Sequence, residues 1–83
     1  MKLRLRYFAS LREAIGKSHE TFETHARTVE EVRDALLAQG EAYACLARGK
    51  AVRMALNQVM VQDECMEVSD NAELAFFPPV TGG

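Results

Sequence analysis

The stretch Thr28-Val-Glu-Glu-Val-Arg-Asp-Ala-Leu-Leu-Ala-Gln-Gly40 decides the fold, because it is the clearest helix in the chain. Thr28 and Glu31 have the spacing of a capping box, in which each side chain bonds to the other residue's backbone N–H. Apolar residues follow at helical spacing, and a glycine stands where the helix should end. The apolar positions are Val29, Val32, Ala35 and Leu36.

Two strands and a short helix are predicted before this helix. Residues 2–8 alternate strictly between apolar and polar side chains, which is typical of a half-buried strand. Ser10 and Glu13 form a second capping-box pattern, and Gly16 offers a stop for a helix of one to two turns. Residues 19–24 are rich in strand formers and predict a second strand, antiparallel to the first.

Three more strands are predicted after the helix. The apolar segments 51–56 and 59–61 flank Asn57, which tolerates turn geometry, so they predict a hairpin. Residues 62–71 are polar and loop-like, and residues 73–77 form the last strand. The order strand, strand, helix, strand, strand, strand predicts an α+β fold with one main helix on one face of a mixed sheet. We expect residues 1–77 to form the domain and residues 78–83 an extended tail.

Composition excludes several classes of protein. The 83 residues, 48% hydrophobic and 27% charged, suit one globular domain, and the apolar runs are far shorter than a membrane span needs. The alternating N-terminus is unlike a signal peptide, so we expect a cytoplasmic protein. A net charge of −2 argues against nucleic acid binding. Cys45 and Cys65 are predicted to be buried or partly buried thiols, and His19 and His25 have no metal-ligand spacing.

The C-terminal tail Pro78-Pro-Val-Thr-Gly-Gly83 is the feature that carries chemistry. Proline has no N–H for a β-ladder, so Pro78 and Pro79 end the strand and hold the exit of the tail extended. Gly82 and Gly83 lack side chains and can thread a narrow channel, with Val80 and Thr81 as spacer. The predicted reactive group is therefore the Gly83 carboxylate, delivered into the active site of another protein.

Phe76 and Phe77 precede the tail and are neighbours on the last strand. Successive strand residues point to opposite faces, and the helix covers only one face. We therefore expect one of the two rings to contact a partner beside the tail; the sequence does not decide which.

Two segments resemble the small, sulfur-carrier subunits of molybdopterin synthase. They are Tyr7-Phe-Ala-Ser-Leu-Arg-Glu13, with Gly16 after it, and Glu73-Leu-Ala-Phe-Phe-Pro-Pro-Val-Thr-Gly-Gly83. Thr28-Val-Glu-Glu31 and Asn57 also fit that family. Ser69-Asp-Asn-Ala72 departs from it, because the family usually has a glycine-containing turn there.

The resemblance implies a ubiquitin-like β-grasp fold and a mechanism. A ubiquitin-activating-like enzyme would use ATP to adenylate Gly83, and sulfur from a donor protein would then displace AMP and leave a thiocarboxylate. The tail would next enter the large synthase subunit and donate sulfur to cyclic pyranopterin monophosphate. The resemblance further implies a heterotetramer with the large subunit, no bound cofactor, and no catalysis by this chain alone.

Three alternatives stay open on sequence. The chain could be another Gly-Gly sulfur carrier, as in the thiamine pathway, although those are usually shorter and lack Phe-Phe-Pro-Pro before the tail. It could be a ubiquitin-like modifier joined to target lysines. It could also be a β-grasp adaptor whose tail is inert.

Overall fold

The computed structural model describes residues 1–79, and in it five strands form one mixed sheet in the order β2-β1-β5-β3-β4. Two α-helices and two short 3₁₀ helices complete the fold. The strands are β1 Lys2–Tyr7, β2 His19–Glu23, β3 Arg53–Leu56, β4 Val59–Met60 and β5 Glu73–Phe77; the helices are α1 Ala9–Ile15 and α2 Val29–Leu37, and the 3₁₀ helices are Glu41–Leu46 and Arg48–Lys50.

The sheet pairing confirms the predicted mixed sheet. β1 pairs antiparallel with β2 and parallel with β5, and β5 pairs antiparallel with β3. β5, the last strand in the chain, therefore lies at the centre of the sheet. The carboxyl end of β5 at Phe77 therefore also lies in the middle of the sheet rather than at an edge.

The main helix begins as its capping box predicts. The Thr28 hydroxyl accepts a hydrogen bond from the Glu31 backbone N–H at 3.2 Å, and Glu31 Oε1 accepts one from the Thr28 N–H at 3.1 Å. The helix ends at Leu37, three residues before the predicted stop at Gly40. Gly40 instead begins the 3₁₀ helix that follows, with a backbone φ of 148° that favours glycine.

The capping box predicted for α1 is wrong. The N-cap is Phe8, which makes no side-chain cap, and Ser10 lies inside the helix. The Phe8 carbonyl accepts from the Leu11 N–H at 3.1 Å, so the first turn forms on the backbone at the end of β1. Gly16 does end the helix, in the left-handed conformation (φ 92°).

The predicted hairpin between β3 and β4 is confirmed. Asn57 and Gln58 both have positive φ, 50° and 70°, as a two-residue type I′ turn requires. Asn57 also ties the turn to β5, because its backbone N–H donates to the Glu73 carbonyl at 2.8 Å and its Oδ1 accepts from the Glu73 N–H at 2.9 Å. The hairpin is thereby held beside the strand that leads to the tail.

The core fills one face of the sheet beneath the helices. The inward residues of β1 and β5 are fully buried against the apolar stripe of α2. The largest buried side chains are Tyr7, Phe76, Leu3, Leu5, Leu36, Leu46, Leu74, Val29 and Val32. The opposite face, called the outer face below, carries the side chains of Arg4, Arg6 and Phe77.

A shared carboxylate closes the core near Tyr7. Glu20 Oε2 accepts from the Tyr7 hydroxyl at 2.6 Å and from the Tyr43 hydroxyl at 2.7 Å, and Glu20 Oε1 accepts from Lys17 Nζ at 3.1 Å. Burial opposes the charge of Glu20, but these three hydrogen bonds outweigh it and lower the pKa of Glu20. Burial and the bond to Glu20 raise the pKa of Tyr7.

We expect Glu20→Gln to destabilise the fold by about 1 kcal/mol at neutral pH, because charge-assisted hydrogen bonds become neutral ones. A carboxyl whose pKa is lowered by folding stabilises the fold fully above its unfolded pKa of about 4.3 and loses this effect as pH falls through the lower folded pKa. The gap in unfolding midpoint between the variant and wild type should therefore shrink below about pH 4. Glu23→Gln, an exposed change on the same strand, is the control. A gap that does not change with pH would contradict the assignment.

Candidate functional site

The strand β5 leads directly into the predicted tail, and its last two residues point to opposite faces of the sheet. Phe76 is fully buried, and its ring stacks on Tyr7 with centroids 5.7 Å apart. Phe77 is half-buried on the outer face. Of the two phenylalanines, Phe77 is therefore the one whose ring a partner can reach.

The Phe77 ring lies parallel to a second aromatic ring at the end of β1. The Phe8 and Phe77 centroids are 4.7 Å apart, and the planes meet at 6°. The Arg6 guanidinium lies over the Phe8 ring, with its Cζ 5.2 Å from the ring centroid. Two half-exposed rings in contact form an apolar anchor larger than either alone. We call Phe8 and Phe77 the aromatic pair.

Pro78 and Pro79 follow directly. Phe77 is the last β5 residue in the pairing with β3, opposite Arg53. Pro78 is half-buried and Pro79 is exposed, so the chain leaves the sheet at these residues. The predicted site residues Val80, Thr81, Gly82 and Gly83 lie outside the described residues.

Residues 1–79 offer no metal centre. That part of the chain contains no group of three or more His, Cys, Asp or Glu side chains able to hold a metal ion. Of its helices, none has the length and apolar character to cross a membrane. Three surface clefts lie on the sheet face or beside the β3–β4 hairpin.

The cysteines offer no competing sulfur site. Cys45 is half-buried as predicted, but Cys65 is exposed, so the prediction of a buried or partly buried thiol is wrong for Cys65. Burial raises the pKa of Cys45, and the Asp63 carboxylate raises that of Cys65. Both groups are therefore held as thiols, the less nucleophilic form.

The sequence reasoning missed Phe8 as part of this site. Phe8 comes directly after β1 and falls on the same side as Arg4 and Arg6. Period two alone could place it on the outer face. Its contact with Phe77, however, depends on the parallel pairing of β1 with β5, in which Tyr7 lies opposite Phe76, and that pairing joins the two ends of the chain.

Comparison with known proteins places the chain in a family. The model of the ThiS family matches residues 5–83. The molybdopterin synthase sulfur carrier subunit of Haemophilus influenzae is 40% identical over 82 residues, covering 98% of this chain and 99% of that protein. The protein of the same name from Escherichia coli is 33% identical over 81 residues, covering 98% of this chain and 99% of that protein.

Among solved structures, SAMP1 from Haloferax volcanii superposes with a TM-score of 0.79 at 24% identity, with complete coverage of both chains. This likeness confirms the ubiquitin-like β-grasp fold. The chain therefore belongs to the ThiS family, and the relatives that match its full length are molybdopterin synthase sulfur carrier subunits.

Proposed function

We propose that this chain is a sulfur carrier in molybdenum cofactor biosynthesis and that the Gly83 carboxylate is its reactive group. The observation that carries the proposal is full-length similarity to two molybdopterin synthase sulfur carrier subunits. The fold supports it, because the central strand β5 ends at Phe77 and the chain leaves the sheet at Pro78 and Pro79. In this proposal residues 1–77 are the folded domain and residues 78–83 are the delivery arm.

The arm has the reach that the chemistry needs. Four residues follow Pro79, and at about 3.3–3.6 Å each they span about 13–14 Å. Val80 and Thr81 are the spacer, and Gly82 and Gly83 fit a channel too narrow for side chains. The carboxylate thus reacts inside a partner's active site, where the partner supplies the acid–base and anion-binding groups.

Activation converts a poor electrophile into a good one. A carboxylate oxygen of Gly83 attacks the α-phosphate of ATP in a ubiquitin-activating-like partner, and pyrophosphate leaves. The resulting glycyl adenylate is a mixed anhydride, so its carbonyl carbon accepts a hydrosulfide ion supplied by a donor protein, and AMP leaves. The product is a thiocarboxylate on Gly83. ATP is consumed as a substrate of the partner, and this chain needs no cofactor of its own.

The second partner is the large subunit of molybdopterin synthase. There the thiocarboxylate sulfur attacks cyclic pyranopterin monophosphate and forms a thioester with it. Water then hydrolyses the thioester, which restores the Gly83 carboxylate and leaves the sulfur on the pterin, and two such transfers build the dithiolene. We propose a heterotetramer of two large and two small subunits in the cytoplasm, with this chain as the non-catalytic sulfur donor. The aromatic pair Phe8–Phe77 is the anchor beside the tail, because it is apolar, half-exposed and adjacent to Pro78.

Membership of the ThiS family also allows the thiamine-pathway alternative, but the two full-length relatives do not support it. Both full-length relatives carry the molybdopterin synthase name, which favours molybdenum cofactor biosynthesis over the thiamine pathway. The modifier alternative begins with the same adenylate and differs in its product, an amide bond to a lysine rather than a thiocarboxylate.

The decisive experiment incubates the chain with ATP, the adenylating enzyme and a sulfur donor, then measures its intact mass. We expect one oxygen of the chain to be replaced by one sulfur, and no lysine-linked conjugates. Omission of ATP is the control. Conjugates without a thiocarboxylate would favour the modifier, and an unchanged mass where a known carrier is converted would contradict the proposal.

A further inference from the structure

We propose that the outer face of the sheet carries a carboxylate-binding groove, which takes an acidic segment of the large synthase subunit. The groove has a volume of about 350 Å³, and the side chains that matter at its wall are Arg4, Arg6, His19, Thr21 and Glu73. We call it the basic groove. The inference deepens the proposed function, since it concerns how the carrier's partner docks.

The pattern of β1 puts two arginines side by side in the groove. Arg4 and Arg6 are two residues apart on one strand, so both point to the outer face while Leu3, Leu5 and Tyr7 are buried. Their neighbours in the register are Thr21 and Glu73 opposite Arg4, and His19 and Ala75 opposite Arg6. Both arginines are exposed on this face.

The groove has more positive than negative charge. Arg6 Nη1 lies 4.0 Å from Glu73 Oε2, at the limit of an ion pair, and Arg6 is 51% exposed. Arg4 Nε donates to the Asn71 carbonyl at 3.2 Å, a neutral acceptor. Glu20 contributes backbone to the groove, but its carboxylate is on the core side, bonded to Tyr7 and Tyr43. Two guanidinium groups are thus balanced by the single carboxylate of Glu73.

The basic groove continues into the aromatic pair. The Arg6 Cζ lies 5.2 Å from the Phe8 centroid, and Phe8 stacks on Phe77. A partner that covers Phe77 in order to receive the tail must therefore lie beside Arg6. On the other side of Phe77, its pairing partner Arg53 adds a third exposed cation.

These features select a carboxylate-bearing protein segment as the occupant. Arginine presents a planar fork that matches a carboxylate with two parallel hydrogen bonds. Thr21 adds a hydroxyl. A duplex or single-stranded nucleic acid would need a longer basic track, whereas the chain as a whole carries a net charge of −2. Charges at the rim of an interface mainly speed association and choose the partner.

The test compares the double variant Arg4→Gln/Arg6→Gln with wild type in binding the large synthase subunit, measured by isothermal titration calorimetry. We expect the Kd to rise about tenfold at about 50 mM salt, since exposed ion pairs contribute up to about fivefold each. The difference should nearly vanish at about 0.5 M salt, where charges are screened. Arg27→Gln, an exposed arginine outside the groove, is the matched control and should stay within about twofold of wild type.

Two failures of this test can be told apart. Thermal unfolding of both variants by circular dichroism verifies that they fold, and glutamine keeps a donor near Asn71. If the wild-type chain binds and the double variant binds as tightly as wild type or as Arg27→Gln, the basic groove is overturned and the proposed function is not. Absence of binding by the wild-type chain would contradict the proposed function itself.

Discussion

Deletion of Gly83 should abolish thiocarboxylate formation while the fold stays as stable as wild type. The shortened chain still ends in a glycine carboxylate, on Gly82, but that group falls short of the reacting position by about 3.5 Å. A misplacement of about 1 Å can already cost about a hundredfold in rate. The apolar core identified within residues 1–79 ends with Phe76, so the unfolding midpoint should not move.

Two controls separate the length of the tail from the identity of its last residue. Gly83→Ala keeps the length and the carboxylate, so any loss it causes reports on the width of the partner's channel. Appending one glycine to the C-terminus shifts the carboxylate outward by the same step as the deletion shifts it inward, and should also stop the reaction. If the intact mass shows that the chain lacking Gly83 still accepts sulfur, the partner does not recognise the position of the carboxylate. A fall in unfolding midpoint would contradict a free arm.

Alanine substitution at the two neighbouring phenylalanines should rank in one order for stability and in the reverse order for binding. Phe76 is fully buried and stacks on Tyr7, so Phe76→Ala should destabilise the fold by about 3–5 kcal/mol. Phe77 loses only its stacking on Phe8 and partial burial, so Phe77→Ala should cost about 1 kcal/mol. Binding should reverse this order: Phe77→Ala should raise the Kd for the large subunit about thirtyfold, which corresponds to a hot spot of about 2 kcal/mol.

Denaturant unfolding and calorimetric binding measure the two effects separately. Phe76→Leu serves where Phe76→Ala fails to fold, because it keeps an apolar side chain in the core and should bind the large subunit as wild type does. Phe8→Ala removes the other ring of the aromatic pair and should weaken binding in the same direction as Phe77→Ala. Wild-type affinity in Phe77→Ala would remove the aromatic pair from the docking surface.

Local sequence signals predicted most of the fold. The period-two alternation of residues 2–8, the capping box of Thr28 and the turn at Asn57 each act within a few residues, and each is confirmed. Pro78-Pro79 marked the end of β5 equally well, because missing N–H groups stop a ladder regardless of context. The predicted fold class needed no knowledge of long-range contacts.

The failures lie where tertiary contacts outweigh local pattern. Ser10 and Glu13 have capping-box spacing, yet the backbone leaves β1 at Phe8 and starts the helix earlier. No sequence pattern predicted that Arg33 would share the buried stripe of α2; it is 4% exposed and bonds to Glu64 Oε2 at 2.8 Å, 31 residues away. A helical pattern cannot reveal such a partner.

The candidate site likewise has a part that the sequence predicted and a part that only the folded sheet reveals. The reactive end and the prolines are visible in the sequence, because they are contiguous. The choice between Phe76 and Phe77 required the sheet, since only the position of the helices decides which face is core. Phe8 and the basic groove required the parallel pairing of β1 with β5, which brings residues about 70 positions apart into one surface.

A single-turnover sulfur transfer tests the central claim most directly. The chain is first converted to the Gly83 thiocarboxylate, then mixed with the large synthase subunit and cyclic pyranopterin monophosphate, and its intact mass is followed with time. We predict that the mass returns to that of the carboxylate while the sulfur appears in the pterin product, with two carriers consumed for each dithiolene. A thiocarboxylate that persists beside an active large subunit and its substrate would contradict the account.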